Sequence, residues 1–401
     1  MNLIPALPLA ISSANQPAAT LLHSARQRLC RLASKCTSQL AALLVTVSIY
    51  THAAGTTIAC WGSNNFGECN IPVGLSGATQ IAGGNGQFIV LNRTGMVTCW
   101  GDNTYGKATP PIGLSGVASI AAGENHSIAV KANTTVVCWG NNQYGQSLGI
   151  DASANPITTT PGGQTVKILG ITLTGVAQAA GGPVHTVGLR SNGTVICWGQ
   201  SYQCNPPAGL SSVIHVAAGG SASLAAKSDG IVVGWGFGGS GQLSIPTGLA
   251  NVIQVALSNR HAMALKRDGT VVCWGDNYDH ECDVPAGLGK VVQIAAGLEN
   301  SLAVTADGHA AVWGWNGRGQ CDVPVWLVGV TQIAGSGYAA GALVNYCPWD
   351  LDGSEAMDFG DLALMLLDFG PCVGCRGDFD GNGQIDFGDT ALLLLEFGPC
   401  P

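Results

Sequence analysis

Residues 121–140 read A-A-G-E-N-H-S-I-A-V-K-A-N-T-T-V-V-C-W-G, and this stretch decides the fold class. Its two apolar runs, S-I-A-V-K and T-V-V-C-W-G, alternate apolar with small residues, the period of a half-buried strand. A-N-T joins them. Other copies carry S-N-G at 191, S-D-G at 228, R-D-G at 267 and A-D-G at 306 in the same place. Asn-Gly and Asp-Gly supply the positive φ angles of a tight hairpin turn. The unit is therefore expected to be a hairpin of antiparallel strands and not a helical pair.

The stretch recurs along the chain. Trp-Gly pairs begin at Trp61, Trp100, Trp139, Trp198, Trp235, Trp274 and Trp313, at spacings of 39, 39, 59, 37, 39 and 39 residues. A second phrase keeps the same step, as I-A-G-G-N-G-Q at 81, I-A-A-G-E-N-H at 120, V-A-A-G-G-S-A at 216, I-A-A-G-L-E-N at 294 and I-A-G-S-G-Y-A at 333. A period of this length marks a repeat architecture. Four-stranded units set radially protect their strand edges by closing on themselves. The expectation is an all-β, seven-bladed β-propeller over residues 55–346. The array begins with the Trp-Gly half of a unit, Thr56 to Trp61, and ends with the A-G half, Ile333 to Val344. Those halves should complete one shared blade. Ala and Gly of the A-A-G phrase would let inner strands crowd the axis, and each Trp would bury a large apolar face against a neighbouring blade.

The phrase A-A-G-E-N-H-S-I-A-V at 121–130, the hairpin, and W-G-N-N-Q-Y-G-Q at 139–146 resemble the repeat of the regulator of chromosome condensation family, a seven-bladed propeller. The resemblance covers residues 56–346. It implies the fold more than an activity. The founding eukaryotic member of the family exchanges nucleotide on a small GTPase and docks on chromatin, whereas secreted bacterial relatives bind and inhibit other proteins through one propeller face.

Composition narrows the choice. Charged residues make up 10% of the chain and Gly numbers 58, which suits tight turns and close backbone packing. The 16 Lys and Arg against 24 Asp and Glu give no basic excess for non-specific binding to nucleic acid. Arg26, Arg28, Arg31 and Lys35 precede an apolar run from Leu40 to Ile49 and then T-H-A-A-G at 51–55, the order of a secretory leader. Residues 1–54 are accordingly expected to be a signal peptide removed after Ala53 or Ala54, with the mature protein secreted or at the cell surface. The apolar run is too short to span a bilayer. Thirteen of the 15 Cys lie beyond that point, which in an exported chain argues for disulfides. Cys60 and Cys69 share their spacing with Cys273 and Cys282, and Cys197 to Cys204 is similar, so local bridges are expected at equivalent places. Cys99, Cys138 and Cys321 break the pattern.

Three features of the propeller invite a functional reading. His126, His185 and His261 occupy one repeat position, filled elsewhere by Gln87, Ala222, Asn300 and Ala339. Equivalent positions on different blades point at different angles about the axis, so a hydrogen bond pinning the strand is expected and not a shared metal. Asp276, Asp279, Glu281 and Asp283 cluster near His280 in W-G-D-N-Y-D-H-E-C-D-V-P, and a solvated loop is the expected reading. The third unit carries twenty extra residues, roughly 147–170, in a neutral, Thr-rich loop that is either a contact surface or a tolerated insertion.

Residues 347–401 differ in kind, holding eleven Asp or Glu against Arg376 alone. They repeat with a step of 28 residues. C-P-W-D-L-D-G-S-E-A-M-D-F-G-D runs into L-A-L-M-L-L-D-F, and C-R-G-D-F-D-G-N-G-Q-I-D-F-G-D runs into T-A-L-L-L-L-E-F. Hard Ca²⁺ takes oxygen ligands at loop positions 1, 3, 5, 7, 9 and 12. These are Asp350, Asp352, Ser354, Ala356 (by its carbonyl), Asp358 and Asp361 in the first loop. In the second they are Asp378, Asp380, Asn382, Gln384 (by its carbonyl), Asp386 and Asp389. Gly383 stands at the sharp turn of the second loop where the first has Glu355, so the second should bind more tightly. The tail resembles the dockerin module of bacterial secreted proteins, an EF-hand-type, α-helical calcium-loop domain that binds a partner protein. Cys347, Cys372, Cys375 and Cys400 bracket the copies, and pairing of 347 with 400 or within each copy fits equally.

The reading is an exported, non-enzymatic binding protein. Its propeller displays a face to a protein or glycan, and its dockerin-like tail attaches it to a protein partner through calcium. A secreted inhibitor of an enzyme is a special case, and a polysaccharide-acting enzyme with its site at the propeller mouth is the alternative.

Overall fold

In the computed structural model, the described residues are 57–344 except 76, 151–163 and 326, together with short stretches between 356 and 399. The chain is nearly all β. Among these residues, seven antiparallel sheets share one pattern of inner, middle and outer strand. In the first, Ala78–Gly83 pairs with Gln87–Asn92, which pairs with Val97–Gly101. In the second, Val117–Ala122, His126–Lys131 and Val136–Gly140 repeat the arrangement in the same register, with Gln87 opposite Gly101 and His126 opposite Gly140. The last sheet is assembled from both ends of the array. Val330–Ser336 pairs with Ala339–Val344, and Thr57–Gly62 supplies the outer strand, Thr57 opposite Val344 and Gly62 opposite Ala339.

Each inner strand packs against the inner strand of the next sheet, and Val330–Ser336 packs against Ala78–Gly83, so the series returns on itself. These are the repeated blades of a β-propeller. Close approach at the axis needs the A-A-G phrase. A Cβ on Gly83 would collide with the carbonyl oxygen of Gly335, and one on Gly219 with that of Leu257. Apolar clusters fill the space between blades. Trp139, Val117, Ile120 and Ala129 of one blade bury against Ile89 and Leu91 of the blade before it, and Trp235, Val213, Val216 and Ala225 bury against Val187 and Leu189. The tryptophan of each blade thus lies in the seam with a neighbour.

Two details differ from expectation. The hairpin turns use a single positive-φ residue, not two. In the turn at 266–270, Gly269 N donates to the Lys266 carbonyl at 2.9 Å and Lys266 N to the Thr270 carbonyl at 2.9 Å, and Gly269 has φ +88°. This is a type I turn closed by a left-handed residue. Asp268 does not adopt positive φ; its Oδ1 accepts from Thr270 N at 3.0 Å, the side-chain turn that Asp and Asn favour. Second, most blades have three strands and not four. After the outer strand the chain runs through segments such as A-T-P-P-I-G-L-S-G at 108–116, where prolines lack the N–H that a ladder needs. The exception is the second sheet, where Gln164–Thr165 from the long insertion pairs with Val137 and Cys138 as a fourth strand.

The Gly of every Trp-Gly pair ends its outer strand in a left-handed conformation. Gly140 has φ +103°, and a Cβ there would sit 2.7 Å from the Asn125 carbonyl oxygen. Gly140→Ala is expected to destabilise the protein by about 1–3 kcal/mol, read as a lower urea midpoint at unchanged m-value.

Candidate binding face

Two sets of loops meet at one end of the blades, and backbone hydrogen bonds tie each pair. The residue after each Trp-Gly donates its N–H to the turn that precedes the middle strand. Asp102 N donates to Gly86 O at 2.7 Å, Asn141 N to Asn125 O at 2.9 Å, Asp276 N to Arg260 O at 3.1 Å and Ser63 N to Tyr338 O at 2.9 Å.

Beneath this face runs a latch from blade to blade, and the three histidines belong to it. His126 Nε2 lies 2.7 Å from Thr186 Oγ1 of the next blade, His185 Nε2 3.0 Å from Ser223 Oγ and His261 Nε2 3.0 Å from Ser301 Oγ. Gln87 makes the equivalent contact, donating from Nε2 to Ser127 Oγ at 2.9 Å. The hydroxyl passes the connection on: Ser127 donates to the Lys107 carbonyl at 2.8 Å, Thr186 to that of Gln146 at 2.9 Å and Ser301 to that of Glu281 at 2.7 Å. The indole N–H of the next blade's tryptophan reaches the same row of carbonyls, Trp139 to Lys107 at 2.7 Å and Trp198 to Gln146 at 3.0 Å. The histidines therefore pin neighbouring blades. Burial lowers the pKa of His126 to about 3, with the charges of His185 and Lys107 adding to it, and burial lowers His185 and His261 to about 4. All three are neutral at pH 7.

The residue whose carbonyl anchors the latch also folds the loop above it. It stands seven residues after the Trp in most repeats and is buried at Glu68, Lys107, Gln146, Gln242, Glu281 and Gln320. Its side chain turns back to accept the N–H two residues earlier, Phe66 N to Glu68 Oε2 at 2.7 Å, Tyr144 N to Gln146 Oε1 at 2.9 Å and Arg318 N to Gln320 Oε1 at 3.0 Å. Lys107 cannot accept and instead donates from Nζ to the carbonyls of Asn85 and Glu124 at 2.6 and 2.8 Å, and pairs with Asp102 Oδ2 at 2.9 Å. Burial raises the Asp102 carboxyl, but hydrogen bonds from Thr104 and Lys107 outweigh it and hold its pKa below the ordinary value. An Asn near the loop start braces the other side, Asn64 Oδ1 accepting from Cys69 N and Asn277 Oδ1 from Cys282 N at 2.9 and 2.8 Å.

The loops hold an aromatic residue outward in six of the seven repeats: Phe66, Tyr105, Tyr144, Tyr202, Phe237 and Tyr278 are exposed, at up to 84% for Tyr278. Trp315, in the remaining repeat, is half-buried and packs on Tyr338 at a ring separation of 4.8 Å. The channel mouth inside these loops is lined by glycine and other uncharged residues, with Glu124 as its carboxylate among the described residues.

The acidic cluster at 276–283 does not converge. Glu281 is buried and accepts from Asp279 N at 2.9 Å, Asp276 lies 3.6 Å from Arg260, and Asp283 and His280 are an exposed pair at 2.8 Å. The insertion in the third repeat is tied down at both ends. Leu148, Val166 and Leu173 are buried, Gly149–Ile150 pairs with Lys167–Ile168, and residues 151–163 lie outside the described set.

Of the proposed calcium ligands, Ala356, Gln384, Asp386 and Asp389 are described, whereas Asp350, Asp352, Ser354, Asp358, Asp361, Asp378, Asp380 and Asn382 lie outside the described residues. Ala356–Met357 pairs with Gly398–Pro399 and Gln384–Ile385 with Gly370–Pro371, so the step of 28 residues is kept in the pairing. Asp389 is buried and its Oδ2 accepts from Asp386 N at 2.8 Å. Residues 362, 363, 365, 366 and 388–390 are helical.

Residues 78–107, 117–146, 252–281 and 291–320 match the regulator of chromosome condensation (RCC1) repeat. Among solved structures, Prp20p of Saccharomyces cerevisiae is similar at 19% identity and a TM-score of 0.59, over 74% of this chain and 93% of that one. Human WBSCR16 is similar at 19% identity and a TM-score of 0.58, over 72% and 99%. At this identity the likeness shows the fold. No curated protein matches the chain by sequence. No helix among the described residues is long and apolar enough to cross a membrane.

Two repeat positions escaped the reading of the sequence. One is the aromatic five residues after the Trp in three units, Phe66, Tyr105 and Tyr144, which aligning the copies reveals, whereas Tyr202, Phe237 and Tyr278 stand at other offsets. The other is Gln before the I-A-G phrase. Gln80, Gln254, Gln293 and Gln332 each accept, through Oε1, the inner-strand N–H of the next blade at 2.7–3.0 Å, Gln332 closing the ring onto Ile81.

The buried histidines make the fold sensitive to acid. Their folded pKa values lie below the unfolded value near 6.5, so the unfolded chain binds more protons below that pH. Stability is full above about pH 6.5 and is lost as pH falls toward 4. His261→Gln, which Gln87 shows can make the latch, should flatten this slope in urea melts between pH 4 and 7 while leaving stability at pH 7.5 little changed.

Proposed function

We propose that the chain is an exported, non-enzymatic binding protein, a seven-bladed propeller whose aromatic face receives a protein partner and whose residues 347–401 form a calcium-dependent, dockerin-like module for a second protein. The ring of outward aromatics carries the first half. Exposed Tyr and Phe on braced loops offer large amphipathic contact area at little entropic cost, as at protein interfaces. The residues that could have served general acid–base chemistry are spent on folding: the histidines are neutral, buried latches, and the carboxylates at 276–283 brace a loop or face solvent. Prp20p, of the same fold, is described with binding to Gsp1p and histones and in complex with Kap60, which supports a propeller used for protein contact. Bridges at Cys60–Cys69 and Cys197–Cys204 support an oxidising compartment and hence export.

The second half rests on the tail. A buried Asp389 held by the N–H of Asp386 suits the last ligand position of a calcium loop, and Gln384 in a short strand suits a backbone carbonyl ligand. Bound Ca²⁺ would offset the repulsion among the loop carboxylates and order the loops.

Two experiments test these roles separately. Phe66→Ala, Tyr105→Ala and Tyr278→Ala together are expected to abolish capture of the propeller's partner from secreted and envelope fractions, with the melting temperature unchanged; undiminished capture rules out the aromatic face. Calorimetric titration of residues 347–401 in the full chain with Ca²⁺ should show two unequal sites. Asp389→Asn should remove the tighter one. Tail-dependent capture that persists in a chelator refutes the module.

A further inference from the structure

Two positions pair in each repeat: the residue just before the Trp, and the residue at the end of the loop that carries the outward aromatic. Cys60 and Cys69 occupy them in one repeat and are bonded, with Cα atoms 5.2 Å apart. Cys197 and Cys204 occupy them in the repeat whose loop is two residues shorter and are bonded too. Cys99 stands in register with Ala108, Cys138 with Ser147 and Cys321 with Val312, so those three thiols have no cysteine to meet. Cys273 and Cys282 fill both positions with cysteine, yet stand as two thiols.

Their surroundings copy those of the bonded pair. Cys273 Sγ lies 3.5 Å from the Glu281 carbonyl, as Cys60 Sγ lies 3.5 Å from the Glu68 carbonyl. The loop fold is the same, with Asn277 Oδ1 accepting from Cys282 N where Asn64 Oδ1 accepts from Cys69 N. The two sulfurs are 2.7 Å apart. We propose that Cys273 and Cys282 form a third disulfide of the propeller, clipping the loop that displays Tyr278 to its own outer strand.

The step is a thiol–disulfide exchange with a low-molecular-weight or protein disulfide, RSSR, as oxidant. One cysteine thiolate attacks RSSR and expels RS⁻, leaving a mixed disulfide. The second thiolate attacks the cysteine sulfur of that mixed disulfide and expels the other RS⁻. Two cysteine thiols are oxidised to one bond, RSSR is reduced to two RSH, and the two protons pass to the thiolates released. With this bond, the loops bearing Phe66, Tyr202 and Tyr278 would each be closed at the base. That consequence for recognition rests on the binding face proposed above, whereas the bond itself does not.

The test reads the covalent bond and needs no partner. The full chain is equilibrated with oxidised glutathione, quenched in acid, alkylated under denaturing conditions and digested with trypsin, and the peptide 268–290, which holds both cysteines, is weighed. The expected result is an unalkylated peptide lighter than the dithiol form by two hydrogens, which takes up two alkyl groups after reduction. Alkylation of both cysteines, or glutathione retained on either, while the Cys60–Cys69 peptide from the same digest is bridged, overturns the proposal. Cys282→Ser should leave Cys273 open to alkylation or to glutathione; a Cys273 that stays closed to both is bonded elsewhere, which also overturns it.

Discussion

A single carbonyl oxygen between neighbouring blades is the point on which the body turns. At the Lys107 carbonyl, the indole of Trp139 and the hydroxyl of Ser127 converge from one blade onto the loop that leaves the other. Apolar burial in the seam is the larger energy, but it is non-directional and would tolerate a blade sliding against its neighbour. A buried carbonyl, hydroxyl and indole N–H lose their partners on such a slide, at roughly 1–3 kcal/mol for each group left unmade. The repeated latch therefore selects one register, and the ring of Gln side chains nearer the axis applies the same constraint to the inner strands.

The latch also links blade packing to the loops that carry the exposed aromatics. Glu68, Gln146 and Gln320 each offer the backbone carbonyl to the seam and the side-chain oxygen to the loop above. A residue that holds two blades together thus folds the loop that turns an aromatic outward. Lys107 does the same work with opposite chemistry, donating to two loop carbonyls and an aspartate where its counterparts accept. The exposed aromatics are in consequence held on braced loops, five of the seven loops being tied at the start by Asn64, Asn103, Asn142, Asn277 or Asn316.

The tail obeys different physics. Its short strands keep the 28-residue step of the sequence, and the two pairings exchange partners between the copies, the first loop meeting the end of the second copy and the second loop the end of the first.

Much of this protein was legible in local and repeated features. The thirty-nine-residue step, the A-A-G phrase and the Trp-Gly pair specify strands, turns and close packing within one unit, because hairpin pairing is decided by neighbours in sequence. The shared blade followed from the half-units at the two ends of the array, and the structural role of His126, His185 and His261 from their common repeat position. The departures came from outside the unit or from chemistry finer than residue type. Proline in the outer segments removed the fourth strand, and an Asx turn replaced the expected pair of left-handed residues. The Gln ring, and the exposure of the aromatics on one face, came only from the tertiary structure. The Gln contacts join residues forty positions apart whose meeting depends on the angle between blades, and side-chain direction across a seam is set by packing that a linear pattern does not encode.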